Sequence, residues 1–285
     1  NFPYLGEVWE LPILLPLGRG KHILIISPVG KGADVEVFYW LGVWDKDSYR
    51  FIPDRDEPQI IDVGDFHFTG PSAMIDPKTG RLILFTITQG NRTPKTEYLA
   101  GWAHNGGLPV HLTLREDGRL GVEPIEELQS LRTEKLICIV NKSTKEVNKL
   151  LKNVKGDMLE IKLELNSEKA KQCGIKVRCS PEGEEETLIY YDQVDEKFSV
   201  NREKTSKSRE ELTKGVQGGK LELNGENLRL HIFLDRSMLE AYANGLKSLT
   251  TRVYPSRKDS LGLKIWGNVT VKSIEVWKLK SIHPN

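Results

Sequence analysis

An all-β architecture, of the propeller or sandwich kind, follows from three observations in the 285-residue sequence. Short runs rich in β-branched and aromatic residues recur from end to end. Gly, Pro or Asp punctuates them at close intervals, and no regular alternation of strand and helix patterns appears. Many short strands with frequent turns suit blades or packed sheets rather than parallel α/β layers.

In chain order, KHILIISPV (21–29), ADVEVFYWLGVW (33–44) and RLILFTITQ (81–89) are the clearest early strands. LTLREDGRLGV (112–122) sets Asp117-Gly118 between two apolar runs, a hairpin signal. Asp76-Pro-Lys-Thr-Gly80 predicts another tight turn. PIEELQSLRTEK (124–135) predicts a helix, with Pro124 in its first turn and acidic residues just after. Composition changes there, from Trp-, Gly- and Pro-rich to Lys/Glu-rich, so domains are expected over 1–130 and 131–285. MLEIKLEL (158–165), TLIYYD (187–192), NLRLHIFLD (227–235) and LGLKIWG (261–267) supply the later strands. NREKTSKSREELTKG (201–215) mixes both charge signs and is expected to be a solvated loop.

A net charge of +1 gives no reason to expect nucleic acid or an anionic membrane surface as partner. No apolar stretch approaches the roughly 20 residues that a membrane-spanning helix needs. Cys138, Cys173 and Cys179 make an odd, scattered set that suits neither a disulfide framework nor a zinc knuckle. No metal and no organic cofactor is implied. The sequons at Asn91, Asn141 and Asn268 carry glycans only on a eukaryotic secretory route, so the compartment stays open.

Three stretches carry side chains suited to sugar chemistry. In GEVWELPILLPLG (6–18), Glu10 stands between a tryptophan and an apolar run. A carboxyl group in dry surroundings stays protonated and can act as a general acid, one member of the carboxylate pair that glycoside hydrolysis uses. The bland alternative is a strand-edge carboxylate in solvent. In DVGDFHFTGPSAMIDPKTG (62–80), Asp62, Asp65, His67 and Ser72 lie beside Phe66 and Phe68, a mixture that suits hydroxyl rims and apolar sugar faces. Otherwise the two aspartates shape a turn and His67 is a satisfied structural histidine. EYLAGWAHNGGLPVHL (97–112) gathers Glu97, Trp102, His104 and Asn105 before Gly106-Gly107, with Trp102 either a sugar platform or a core residue. His104 and His111 lack zinc-ligand spacing. In LDRSMLEAYANG (234–245), a strand–turn–strand pattern, Ser237 has only His231 nearby in sequence, too little for a catalytic triad.

Taken together, these stretches resemble glycoside hydrolase family 32, the invertase, levanase and inulinase group of β-fructofuranosidases. VWELPILLPLG resembles the family's Trp-Glu-Cys-Pro motif, with Leu11 at the Cys position. IDVGDFHFTGPSAM resembles its Asp-x-Gly…Asp-Phe-Tyr-Ala-Pro segment, with changes after Phe66. GWAHNGGLPVHLTL and LGVEPIEELQSLR are similar to the stretch that closes the catalytic domain, Val110 replacing the arginine of Leu-Pro-Arg. LHIFLDRSMLEAYANG resembles the signature of the C-terminal sandwich.

The resemblance implies a partial five-bladed β-propeller followed by a β-sandwich, and a retaining mechanism on sucrose or a fructan such as levan or inulin. It gives Glu10 the general acid/base role and lets Trp9, Asp62, Asp65, His67, Trp102 and His104 line the fructose pocket. The family's nucleophile motif, Trp-Met-Asn-Asp-Pro-Asn-Gly, and its Arg-Asp-Pro motif both precede Trp-Glu, and neither occurs in these residues. Arg55-Asp56-Glu57-Pro58 is no substitute, being downstream and carrying an insertion. The first 130 residues have room for roughly two blades of four strands. The chain is therefore expected to be a C-terminal portion, inactive alone, whose propeller is completed by an N-terminal fragment or a second chain. The competing expectation is a non-catalytic carbohydrate-binding or assembly module.

Overall fold

The computed structural model of the chain describes residues 3–33, 36–64, 68–166, 170–208 and 214–282. Its strands form four antiparallel sheets. The first holds β1 (Val8–Gly18), β2 (Lys21–Val29), β3 (Phe38–Asp45), β4 (Arg50–Pro53) and β5 (Gln59–Ile60), with β1 at one edge. The second holds β6 (Thr69–Ile75), β7 (Leu82–Thr88), β8 (Asn105–Gly106), β9 (Val110–Leu114) and β10 (Leu120–Pro124).

The remaining strands are β11 (Arg132–Ser143), β12 (Met158–Asn166), β13 (Gln172–Cys179), β14 (Thr187–Asp192), β15 (Lys197–Asn201), β16 (Val216–Lys220), β17 (Leu228–Asp235), β18 (Met238–Ala243), β19 (Lys247–Arg252), β20 (Gly262–Trp266) and β21 (Thr270–Leu279). A third sheet runs β11-β21-β12-β17-β18-β19, and a fourth runs β16-β15-β14-β13-β20.

Period-two alternation explains how these strands pack. On β2, Ile23 and Ile25 point into a core shared with Leu84, Val110 and Leu112 of the second sheet, while Ile26 packs on the other face with Trp40. The third and fourth sheets share a larger core, where Ile161, Ile232 and Val276 meet Ile175, Ile189 and Val200. Each such side chain contributes about 1.5–3 kcal/mol by leaving water. Strand β18 serves both halves: Leu239 and Ala241 face the larger core, and Tyr242 faces the first-half core.

The expected turns form. Asp117-Gly118 lies in the hairpin between β9 and β10, with Gly118 in the left-handed region at φ 80°. Asp76 accepts from the Lys78 amide (3.0 Å) to shape the turn between β6 and β7. The helix expected over 124–135 is instead a 3-10 turn, Glu126–Leu131. Arg132 leaves that turn because its guanidinium binds both oxygens of buried Glu160 (2.6 Å each) and its backbone opens β11.

Two helices appear where none was expected. α1 (Pro94–Ala100) is capped by Thr93, and α2 (Thr144–Leu151) by a Ser143/Glu146 capping box. The tract 201–215 is not simply a solvated loop: Arg202, Thr205 and Ser206 are buried, and 209–213 lie outside the described residues. Arg202 donates to Thr251 (2.8 Å), and Lys207 donates its amide to buried Glu185 (3.0 Å), which anchors the tract.

Candidate active site

Glu10 lies at the start of edge strand β1, where Val8 through Pro12 are all exposed before burial begins to alternate. A regular strand would turn one of each neighbouring pair inward. Here the register with β2 shifts between Glu10 and Ile13, and Leu11 adopts φ 52°. A non-glycine residue rarely takes that conformation, and such irregularities re-aim side chains beside functional sites. The Trp9 ring rests on Trp40 at 5.6 Å between centroids, and buried Trp40 is itself held by the Asp56 carbonyl (3.0 Å). Among the described residues the Glu10 carboxylate has neither a hydrogen bond nor an ion pair. The dry surroundings expected for it are not supplied by its own strand, since Trp9 and Leu11 are 49% and 48% exposed.

Of the other expected pocket residues away from β1, Asp62, Trp102 and His104 are described, and each has partners of its own. Asp62 is buried at the seam with the third sheet and accepts from the Thr250 amide (3.0 Å), the Thr250 hydroxyl (2.8 Å) and the Gly64 amide (2.8 Å). Burial pushes its pKa up, against the pull of those hydrogen bonds. Its carboxylate is thus spent on an internal junction instead of an open pocket. Asp65 and His67 lie outside the described residues.

Trp102 is exposed, with the Arg92 guanidinium 4.5 Å over its ring and Arg252 at 5.5 Å. His104 accepts from the Gly90 amide through Nδ1 (3.0 Å). No hydrogen bond, ion pair or ring contact joins Glu10 to Asp62, Trp102 or His104 among the described residues. Likewise, Ser237 is not paired with His231, which binds Glu160 (2.7 Å), whereas Ser237 accepts from Arg252 (3.2 Å).

What sequence reasoning missed is the seam itself. Strand β19 and Tyr254, two residues beyond it, grip the segments around 60–64 and 88–105. Lys247 donates to the Ile60 carbonyl, and Arg252 donates to the carbonyls of Gln89 (3.0 Å) and Thr88 (2.9 Å) and to Asn105. Tyr254 adds a hydrogen bond to the Gly90 carbonyl (2.7 Å). On β18, fully buried Glu240 accepts from the Leu108 amide with both oxygens (3.1 and 3.2 Å). Burial pushes its pKa up to about 8. Gly107 makes this approach possible, because a Cβ there would meet the Thr86 hydroxyl at 2.7 Å and Glu240 at 3.2 Å. A lone glutamate in the apolar run SMLEAYA was the available signal.

Comparison with known proteins defines the family. The sequence profile of the glycosyl hydrolases family 32 N-terminal domain matches residues 2–124, and that of the family's C-terminal domain matches residues 127–278. The chain belongs to glycoside hydrolase family 32.

It is 28% identical over 289 aligned residues to the sucrose-6-phosphate hydrolase of Zymomonas mobilis, covering 96% of this chain and 54% of that protein. To the levanase of Bacillus subtilis it is 26% identical, covering 97% of this chain and 43% of that protein. The chain thus spans about half the length of the curated relatives it matches. Fructan 1-exohydrolase IIa of Cichorium intybus shares the fold, with a TM-score of 0.81 at 16% identity over 96% of this chain and 62% of that one.

Proposed function

We propose that this chain is the acid/base-bearing part of a retaining β-fructosidase, with two blades of a five-bladed propeller over 1–130 and a β-sandwich over 131–285. The observation that carries this reading is Glu10, whose carboxylate is presented without a hydrogen bond or ion pair among the described residues on the irregular start of an edge strand, within the span that matches the family's N-terminal domain. In the double displacement, Glu10 protonates the leaving oxygen while a second carboxylate attacks the fructosyl carbon. It then removes a proton from the water that hydrolyses the fructosyl-enzyme. That second carboxylate belongs to residues outside 1–285, as does the wall that would shield Glu10 from water.

Trp9, braced on Trp40, offers an apolar face to the sugar; Asp65, His67, Trp102 and His104 complete the pocket in this reading. Asp62 is reassigned to the seam. Relatives named for sucrose 6-phosphate, levan and fructan support a β-fructoside as substrate. The test is fructose release from sucrose, levan and inulin. The chain alone should release none, and adding the preceding segment of a relative should restore release in a Glu10-dependent way. Release by the 285-residue chain alone overturns the division of labour.

The exposed rings of Trp9 and Trp102, 49% and 41% accessible, favour a second reading as a carbohydrate-binding module. Retention on a fructan gel that survives Glu10→Ala and fails in Trp102→Ala selects it.

A further inference from the structure

Beyond the seam lies a cleft of about 430 Å³, walled by Arg92, Arg178 and Arg236, with hydroxyls of Ser208, Ser237 and Tyr254 around them. No carboxylate lines it among the described residues. The Arg92 guanidinium is clamped between the rings of Trp102 (4.5 Å) and Tyr254 (4.8 Å), and among the described residues it donates only to the Trp102 carbonyl (3.4 Å), its buried Nε having no partner there. Arg178 is 7% exposed; it pairs with Asp157 (3.2 Å), yet its Nε is also buried without a partner among the described residues. The Arg236 side chain has no hydrogen bond or ion pair among the described residues. Behind this wall Arg252 donates to the Ser237 oxygen (3.2 Å), which leaves the Ser237 hydroxyl hydrogen to donate in turn.

Three guanidinium groups therefore line one cleft, and among the described residues only that of Arg178 has a carboxylate within ion-pair distance. Like charges gathered around one cleft repel one another, and an anion seated between them relieves that repulsion. The planar fork of arginine matches oxyanions bidentately, and ring stacking on both sides of Arg92 fixes its plane before any ligand arrives. The volume exceeds what a simple ion needs and lies in the range of small-molecule pockets.

We propose that this cleft is an oxyanion site that takes a phosphate group, either free or carried on a sugar. The assignment shares Trp102, the ring under Arg92, with the glycosidase reading, but its test is separate, because it rests on direct binding to the chain and uses neither Glu10 nor turnover.

Titration calorimetry on the full 285-residue chain tests it, with inorganic phosphate and glucose 6-phosphate as probes and glucose as the uncharged control, all at constant ionic strength. Phosphate should bind saturably at one site. Arg236→Gln and Arg92→Gln should each weaken binding at least tenfold, and Arg50→Gln, an exposed arginine on β4, should leave it unchanged. Arg236 is exposed and unpaired, so its variant keeps the test sound even if Arg92→Gln loosens the loop. Tighter binding of glucose 6-phosphate than of phosphate assigns the ligand to a phosphosugar, and equal binding assigns it to free phosphate. Absence of saturable binding by both probes, or binding indifferent to Arg236→Gln, overturns the proposal.

Discussion

Glu10 and Glu240 each interrupt an apolar strand, and they meet opposite fates. Glu10, in VWELPILL, stands exposed on an edge strand with no partner among the described residues. Glu240, in SMLEAYA, is 1% exposed on a strand paired on both sides, and both its oxygens face the Leu108 amide. The sequence signal is the same in each. The difference comes from strand position: β1 pairs only with β2, whereas β18 is packed between β17 and β19 and buries both faces. The exposed carboxylate is available for chemistry, and the buried one holds two halves of the chain together.

Four perturbations sharpen that contrast. The largest effect is expected at Arg252, 2% exposed, whose loss leaves the Thr88 and Gln89 carbonyls and Asn105 without their donor. Arg252→Met should cost about 3–5 kcal/mol, because several buried acceptors lose their donor together at about 1–3 kcal/mol each. Urea unfolding reads this directly, and a loss below 1 kcal/mol would contradict a structural seam.

Next comes the pH response of Glu240. Below about pH 4.5 folded and unfolded chains both keep it protonated. Between there and about pH 8 the unfolded chain releases the proton and the folded chain retains it. Its contribution to stability therefore falls as pH rises across that window, by about 1 kcal/mol per pH unit at the steepest, and levels off above it. Glu240→Gln should remove that slope; parallel unfolding curves for the two proteins from pH 5 to 8 would refute the assignment.

Asp62→Ala should cost about 2–3 kcal/mol, because it strands the buried Thr250 and Gly64 donors. Smallest is Ser143→Ala, which removes the cap of α2 and should cost about 1 kcal/mol.

The sequence made the strands and their tight turns legible because both are local. Asp117-Gly118 and Asp76 act within a few residues, and alternation along KHILIISPV shows on its face which side chains go inward. The Ser143-x-x-Glu146 box was equally local and announced α2, although it sat in a stretch read only as Lys/Glu-rich. The helix over 124–135 shortened because Arg132 answers to Glu160, 28 residues on. Asp62 was read as pocket lining because its true partner, Thr250, is 188 residues away. Arg252 and Tyr254 carried no local mark at all. Residues whose work lies at a junction between distant segments are invisible to any short window.

The central claim is that Glu10 serves chemistry while the seam serves structure. The most direct measurement compares Glu10→Gln with Asp62→Ala in the chain complemented by a relative's preceding segment, reading fructose release and unfolding free energy on the same samples. Glu10→Gln should lower release by a factor of about 10²–10⁴, with stability held to within about 0.5 kcal/mol. Full activity in Glu10→Gln, or a loss of activity matched by a loss of stability, contradicts the account.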